Sequence, residues 1–228
     1  MPEKFKVAFV GFRHDHIFGL YTGMKESEQY EIVAACEENT AAAEAAAANG
    51  VEITHNDFHE MMQQVEFDIL AIGDYYAIRG SRAISAMVAG KHVIADKPLC
   101  TSLAELREIR HLAQTRNLKV GCMLDMRLHG NVNAAKEFID SGKLGEIHAI
   151  SFGGQHPLSY GVRPNWYFEP GKHGGTSAVQ MESTISLVAF SNAIPMASPN
   201  PERIPPSQSN NIHHLAKIED GHLWQPSK

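Results

Sequence analysis

The sequence predicts an α/β protein whose first domain is built on a doubly wound parallel sheet, followed by a second α/β region and a disordered tail. Three observations lead to this prediction. Short apolar runs alternate with helical segments through the first 123 residues, glycines stand where strands or helices end, and the composition changes near the C-terminus. Strands that alternate with helices of about ten residues are typical of βαβ units with right-handed crossovers. The predicted domains are 1–123 and 124–190, with a tail at 191–228.

The apolar runs predict the strands, and the segments between them predict the helices. Strands are expected at 6–10, 31–36, 51–54, 67–72, 91–95 and 118–123. Helices are expected at 17–27, 40–49, 58–65, 82–89 and 103–112. Asn39 or Thr40 can cap the alanine-rich second helix, while Asp57 and Ser102 each precede a glutamate at capping-box spacing.

Beyond residue 130 the pattern changes. A helix is expected at 131–140, a strand begins near Glu146, and the segment 156–176, rich in proline and aromatic residues, is expected to form a loop that lines a site. Six of the eleven prolines lie in 191–228. This tail carries too little apolar surface to offset its chain entropy, which predicts disorder.

Composition and charge argue against several classes of function. The chain carries 20 basic and 26 acidic side chains, and this net charge of −6 argues against nucleic-acid binding. No apolar run reaches the ~20 residues that span a bilayer, so no membrane partner is expected. The first apolar stretch is too short for a secretory signal. The three widely spaced cysteines, Cys36, Cys100 and Cys122, are expected to be reduced, which fits a cytoplasmic protein.

The first predicted strand leads into Gly11-Phe12-Arg13-His14-Asp15-His16, and a helix follows. A tight strand-to-helix turn presents backbone N–H groups and the positive end of the helix dipole, which suit a pyrophosphate. Only the first glycine of the dinucleotide fingerprint is present, because Arg13 and His16 occupy the positions of the other two. An ordinary βα turn therefore remains the alternative.

Glu37 stands just after the second predicted strand, where an acidic residue accepts both ribose hydroxyls of NAD. A carboxylate there repels the 2′-phosphate of NADP, so NAD is the favoured cofactor and NADP the less favoured one. The alternative is that Glu37 and Glu38 form a solvated pair at a helix start.

His14 and His16 form a His-x-His pair that suggests a metal ligand set. No cysteine or acidic partner stands at zinc-ligand spacing, and loop histidines more often face solvent or a phosphate. We therefore expect no metal site from the sequence.

Lys97 follows the fifth predicted strand within Ala95-Asp96-Lys97-Pro98. A lysine at the C-terminal end of a parallel strand faces the crevice where doubly wound sheets bind ligands. Beside a nicotinamide, such a lysine can hydrogen-bond or deprotonate a substrate hydroxyl. A surface lysine in a turn is the alternative.

The chain resembles the Gfo/Idh/MocA family, the group of glucose–fructose oxidoreductase, inositol dehydrogenase and rhizopine-catabolism proteins. The matching segments are VAFVGF, EIVAACEEN, FDILAIGDYY, AGKHVIADKPLCTS, IDSGKLGEI and RPNWYFEPGKHGGT. Together they extend over residues 5–176, and AGKHVIADKPL with IDSGKLGEI are the more specific.

The resemblance implies a Rossmann domain joined to an α/β domain with an open, mostly antiparallel sheet. It also implies NAD(P)-dependent oxidation of a sugar or polyol hydroxyl, or the reverse reaction, with Lys97 as the catalytic lysine. The expected cofactor-binding residues are Gly11, Phe12, Arg13, His14, Glu37, Gly73, Asp74, Asp96 and Lys97. The candidate substrate contacts, each alternatively a structural loop residue, are Tyr160, Arg163, Trp166 and His173.

The chain departs from the family pattern after Gly174-Gly175-Thr176, where members typically carry Asp-x-Gly-x-His-x-x-Asp. The corresponding positions hold Val179, Met181, Ser183 and Ser186, so the histidine that commonly works with the lysine is missing. We expect a truncated or frame-shifted relative with an incomplete α/β second domain, and the normal family oligomer is therefore doubtful. Two functions remain open: an oxidoreductase with weak or no turnover, and a non-catalytic NAD-binding module or pseudoenzyme.

Overall fold

The computed structural model describes residues 4–124, 129–148 and 159–174. The chain divides into two compact units, Met1–Met123 with Ser159–Thr176, and Leu124–Leu158 with Ser177–Lys228. Residues 159–174 of the predicted loop therefore belong to the first unit. The predicted tail at 191–228 lies outside the described residues, and the domain boundaries after 123 and 190 stay predictions.

The first unit contains a five-stranded parallel sheet, which confirms the predicted fold class. Its strands are β1 (Phe5–Val10), β2 (Tyr30–Cys36), β3 (Ile69–Ile72), β4 (His92–Asp96) and β5 (Val120–Met123). They lie in the order β2-β1-β3-β4-β5, with every neighbouring pair parallel. The winding direction reverses between β1 and β3. The carboxyl ends of these two strands therefore flank the kind of crevice that binds ligands in doubly wound sheets.

Five helices connect or follow these strands. They are α1 (His16–Glu26), α2 (Thr40–Ala48), α3 (Phe58–Gln64), α4 (Tyr76–Val88) and α5 (Leu103–Thr115). Three predicted caps are present, since the side chains of Asn39, Asp57 and Ser102 each accept a hydrogen bond from a backbone N–H in the first turn of their helix.

Helices cover both faces of the sheet. Alternate strand residues point to opposite faces, and one set packs with apolar side chains of α3, α4 and α5, including Phe58, Met87 and Leu112. On the opposite face the Phe9 ring meets the Tyr21 ring of α1 edge to face, with 5.1 Å between ring centroids. Burial on both faces explains why these strands have continuous apolar sequences rather than alternating ones.

The predicted strand at 51–54 is wrong. One parallel bridge joins Cys36 to His55, and the N–H groups of Thr54 and His55 both donate to the carbonyl of Ala35. Only this single bridge forms, so the segment is joined to the end of β2 and does not continue as a ladder.

The start of α4 and the apolar face of α5 also differ from the prediction. Helix α4 begins at Tyr76 instead of Arg82, because its first turns are buried through Tyr76 and Arg79, which the apolar pattern alone does not identify as core residues. On α5, Ile109 and Leu112 are buried as predicted, whereas Leu103 and Leu106 are exposed.

In the second unit the structure describes α6 (Gly130–Asp140), which agrees with the predicted helix. Residues 146–148 are irregular, and the rest of the strand expected near Glu146 lies outside the described residues. Among the helices that the structure describes, none combines the length and the apolar character needed to cross a membrane.

Candidate functional site

The turn after β1 brings the ends of three strands together. Gly11 has a φ of +75°, and a Cβ atom there would lie 2.6 Å from the backbone of Asp74, so only glycine fits this close approach. The Gly11 N–H donates to the carbonyl of Cys36, and the Arg13 N–H donates to the carbonyl of Gly73. Gly73 is itself tightly enclosed, since a Cβ atom there would lie 2.5 Å from the side chain of Ile17.

Glu37 joins the end of β2 to this turn. Its Oε2 accepts a 2.7 Å hydrogen bond from the N–H of Phe12, and its Oε1 accepts from Nε of Arg13 at 2.8 Å and from the N–H of Asn39 at 2.9 Å. The carboxylate is almost completely buried. Glu37 and Glu38 therefore do not form a solvated pair. The Glu37 carboxylate is in direct contact with the turn after β1.

The aromatic segment of the first unit packs onto the same turn. A short 3₁₀ helix, Asn165–Phe168, places Trp166 so that its Nε1 donates to the carbonyl of Arg13 at 3.1 Å. The Trp166 ring also meets the Tyr76 ring edge to face, at 5.1 Å between centroids. The backbone of the turn is thus held by a residue 153 positions further along the chain.

Asp96, at the end of β4, is the most heavily hydrogen-bonded carboxylate of this edge. It lies 2.6 Å from Nδ1 of His14, 3.2 Å from Nδ1 of His16 and 3.4 Å from the Arg79 guanidinium, and it accepts the Lys97 N–H at 2.7 Å. Burial alone would raise the pKa of Asp96. The hydrogen bonds from both histidines and the charge of Arg79 outweigh burial, and the pKa is held well below its usual range.

For Asp74, at the end of β3, the effect of burial on the pKa is larger than that of the neighbouring charge. Burial raises the pKa of Asp74, and the nearby charge of Arg82, whose guanidinium lies 3.0 Å from the carboxylate, only partly offsets this effect. The same guanidinium contacts Glu38 and lies over the Phe58 ring.

Lys97 is fixed through its backbone. Its N–H bonds to Asp96, its carbonyl accepts a 2.6 Å hydrogen bond from Arg79, and its peptide bond to Pro98 is cis. The β4 end therefore places Lys97 beside the carboxylate that also holds His14.

The four candidate substrate residues are not equivalent. Tyr160 is 73% exposed and stacks on Phe168. The Arg163 guanidinium lies over the Tyr167 ring, and the His173 ring contacts both Tyr76 and Tyr167. The aromatic cluster around Tyr76 thus contains Trp166 and His173, whereas Tyr160 lies at the surface. Their contact with a substrate stays a prediction.

Comparison with known proteins identifies the family. The model of the Gfo/Idh/MocA oxidoreductases, described as an oxidoreductase family with an NAD-binding Rossmann fold, matches residues 5–123. The chain belongs to the Gfo/Idh/MocA family. The predicted family and the predicted class of cofactor are thereby confirmed at the level of the family.

Individual relatives of this Gfo/Idh/MocA chain are consistent with the family assignment. Levoglucosan dehydrogenase of Pseudarthrobacter phenanthrenivorans is 28% identical over 132 residues, which cover 56% of this chain and 33% of the relative. Scyllo-inositol dehydrogenase of Lactobacillus casei with bound NAD(H) and scyllo-inositol superposes with a TM-score of 0.55 at 24% identity, covering 64% and 43% of the two chains.

The WlbA dehydrogenase of Bordetella pertussis, in complex with NADH and UDP-GlcNAcA, gives a TM-score of 0.70 at 20% identity, covering 82% of this chain and 59% of that one. At these identities the solved structures establish the shared fold. The match to levoglucosan dehydrogenase spans only about a third of that relative's length.

Sequence reasoning missed three residues of this Gfo/Idh/MocA site: Tyr76, Arg79 and Arg82. All three are buried in the first two turns of α4, and Arg79 donates to the carbonyls of Asp74, Lys97 and Pro98. A signal was present in the sequence. Two arginines near a helix N-terminus oppose the helix dipole, and they indicate specific acceptors close by.

Proposed function

We propose that the chain binds NAD at the carboxyl edge of its sheet and is an oxidoreductase that acts on a hydroxyl of a sugar or polyol. The observation that carries the proposal is the hydrogen bond from the N–H of Phe12 to Glu37, because it joins the expected phosphate turn to the expected ribose carboxylate. Two relatives are named for substrates of this class, levoglucosan and scyllo-inositol. The three free thiols are consistent with a cytoplasmic protein.

The turn fits a dinucleotide in part. Gly11 permits the close approach that the first fingerprint position requires, whereas Arg13 and His16 replace the other two glycines. A guanidinium and an imidazole at this turn can contribute donors to phosphate oxygens, which a glycine cannot.

The lone pairs of Glu37 set how a ribose can bind. An ionised carboxylate offers about four acceptor positions, and Phe12, Arg13 and Asn39 already occupy three. One acceptor position on Oε2 is left for a ribose hydroxyl, but the Glu37 side chain is only 1% exposed, so neighbouring side chains have to move before a ribose reaches it. A second hydroxyl also requires Arg13 to leave Oε1. The negative charge at this position disfavours the 2′-phosphate of NADP, which supports NAD.

Lys97 is the proposed acid–base residue. NAD, when bound, supplies the acceptor for the hydride that leaves the carbinol carbon. Nζ of Lys97 hydrogen-bonds the substrate hydroxyl and, in its uncharged amine form, accepts the hydroxyl proton as the carbonyl forms; the reverse reaction returns that proton from the ammonium. The backbone hydrogen bonds to Asp96 and Arg79 fix Lys97 at the carboxyl end of β4, which supports this role.

A non-catalytic NAD-binding module is the second candidate. It is favoured by the absence of a histidine at position 183, where the family pattern carries one and this chain has Ser183. Loss of a positioned acid–base group costs about 10²–10⁴ in rate, so this chain is expected to turn over slowly at best.

The first experiment titrates the purified chain with NAD and with NADP by calorimetry. We expect NAD to bind more tightly than NADP, and Glu37→Gln to reduce this preference. Glu38→Gln is the matched control, because it removes the neighbouring negative charge and leaves Glu37 intact. If neither nucleotide binds, or if both bind with equal affinity, the proposal is contradicted.

The second experiment measures NADH formation with a panel of sugars and polyols. Turnover that Lys97→Met abolishes, and that the exposed control Lys143→Met retains, supports the oxidoreductase. NAD binding without turnover in the wild-type chain supports the binding module instead.

A further inference from the structure

We propose that His14, His16 and Asp96 form a binding site for a divalent first-row transition metal ion such as Zn²⁺. One ligand atom from each of the three residues lies within 4.8 Å of the other two. Two imidazole nitrogens with one carboxylate oxygen are a ligand set that suits zinc and its neighbours in the first transition row. The sequence conceals this site, because 80 residues separate His16 from Asp96.

The ligand atoms are close to the spacing that a bound ion requires. Two ligands about 2.1 Å from a tetrahedral ion lie roughly 3.4 Å apart. His16 Nδ1 and Asp96 Oδ1 are 3.2 Å apart, and His14 Nδ1 and Asp96 Oδ2 are 2.6 Å apart. A small rotation of the His14 ring therefore makes room for the ion, and each imidazole already faces a different oxygen of the same carboxylate.

The carboxylate is oriented in advance by partners outside the ligand set. The Lys97 N–H donates to Oδ1 of Asp96, and the Arg79 guanidinium lies 3.4 Å from Oδ2. Arg79 is itself fixed by hydrogen bonds to backbone carbonyls, whose negative dipole ends partly offset its positive charge. Partners of this kind hold metal ligands in place, and their loss typically weakens metal binding about 10–100-fold.

The site is open on one side. Asp96 is fully buried, whereas the side chains of His14 and His16 are 14% and 33% exposed. Three protein ligands leave at least one coordination position for water or an oxygen anion, as in open zinc sites. This position lies at the turn after β1, so a phosphate oxygen is the class of ligand that fits it.

Hydrogen bonding alone is the competing description, with a proton on Nδ1 of both histidines. The test uses His14→Asn and His16→Asn, because an asparagine amide can still donate to Asp96 and is a poor zinc ligand. His111→Ala is the matched control, since His111 lies exposed on α5 and away from any carboxylate cluster among the described residues.

The 228-residue chain, stripped of metal by a chelator, is titrated calorimetrically with Zn²⁺ in the absence of nucleotide. We expect one tight equivalent that each asparagine variant weakens more than tenfold and that His111→Ala retains. Equal Zn²⁺ affinity in the wild type and the two asparagine variants overturns the proposal. Because no NAD is present, the outcome is independent of the proposed coenzyme binding.

A second measurement keeps the test decisive if a variant does not fold. Imidazole ¹⁵N resonances of the wild-type chain are recorded during Zn²⁺ addition. Shifts of the Nδ1 signals of both His14 and His16 at one equivalent support the site, and unchanged signals from either residue refute it.

Discussion

Replacing Gly11 with alanine tests the close approach on which the site depends. Gly11 combines two demands: its φ is +75°, and a Cβ atom would lie 2.6 Å from the backbone and Cβ of Asp74. A left-handed conformation costs a non-glycine residue roughly 1–2 kcal/mol. Overpacking against atoms that cannot move away costs about 1–3 kcal/mol more.

Two other glycines separate these contributions. Gly50 has a φ of +82° with nothing within 4 Å of its Cβ position, so Gly50→Ala tests the backbone alone. Gly73 has a Cβ position 2.5 Å from Ile17 and is not in the left-handed region, so Gly73→Ala tests the contact alone. Alanine also lowers the entropy of the unfolded chain, which offsets about 0.4–1 kcal/mol in each variant.

We therefore expect Gly11→Ala to lower the free energy of unfolding by about 1–4.5 kcal/mol, and Gly50→Ala by at most about 1.5 kcal/mol. Urea denaturation followed by circular dichroism measures both values under identical conditions. Gly11→Ala is also expected to weaken NAD binding. Phe12 is the next residue, so a shift of the backbone at position 11 displaces the Phe12 N–H that donates to Glu37. A loss for Gly11→Ala no larger than that for Gly50→Ala refutes the argument from close approach.

Three further predictions concern stability. Because the pKa of Asp96 is lowered in the folded chain, its ionised form stabilises the fold above the ordinary Asp pKa of about 3.9, and this contribution is lost as the pH falls through the lowered value. Asp96→Asn should lower the free energy of unfolding by about 3–5 kcal/mol at neutral pH and should flatten the dependence of that free energy on acidic pH. Urea titrations repeated across pH measure both effects, and an unchanged dependence on acidic pH contradicts the prediction. Trp166→Phe removes the hydrogen bond to Arg13 and should cost about 0.5–1.5 kcal/mol, whereas Tyr167→Phe preserves that bond. Asp57→Ala should cost about 1 kcal/mol through its lost cap, while Asp15→Ala, whose side chain makes no cap hydrogen bond, should lose no such contribution.

Much of the fold was predictable because its signals are local. The apolar runs that end at Val10, Cys36 and Ile72 identify strands buried on both faces, and the caps at Asn39, Asp57 and Ser102 identify helix starts. The strand expected at 51–54 was wrong because local β propensity does not specify hydrogen-bond partners. The segment meets only the end of β2, where the N–H groups of Thr54 and His55 donate to Ala35 and a single bridge joins His55 to Cys36.

The candidate site was only partly predictable. Gly11, Glu37 and Asp96 stand at strand ends, and the carboxyl ends of parallel strands meet at one edge, so the sequence indicated where they converge. It did not indicate that Arg79 is fully buried among backbone carbonyls, because burial of a charge depends on acceptors contributed by other elements.

By itself, the sequence determined the alternation of strands and helices, the family, and the presence of a glycine and an acidic residue at the first two strand ends. Only the tertiary structure decided that Glu37 binds the turn directly and shares its oxygens with Arg13, and that Asp96 lies against both histidines. The physical reason is that hydrogen bonds and metal-ligand sets act over about 2–3 Å. Contacts at that range between residues 24 to 82 positions apart exist only once the strands have paired.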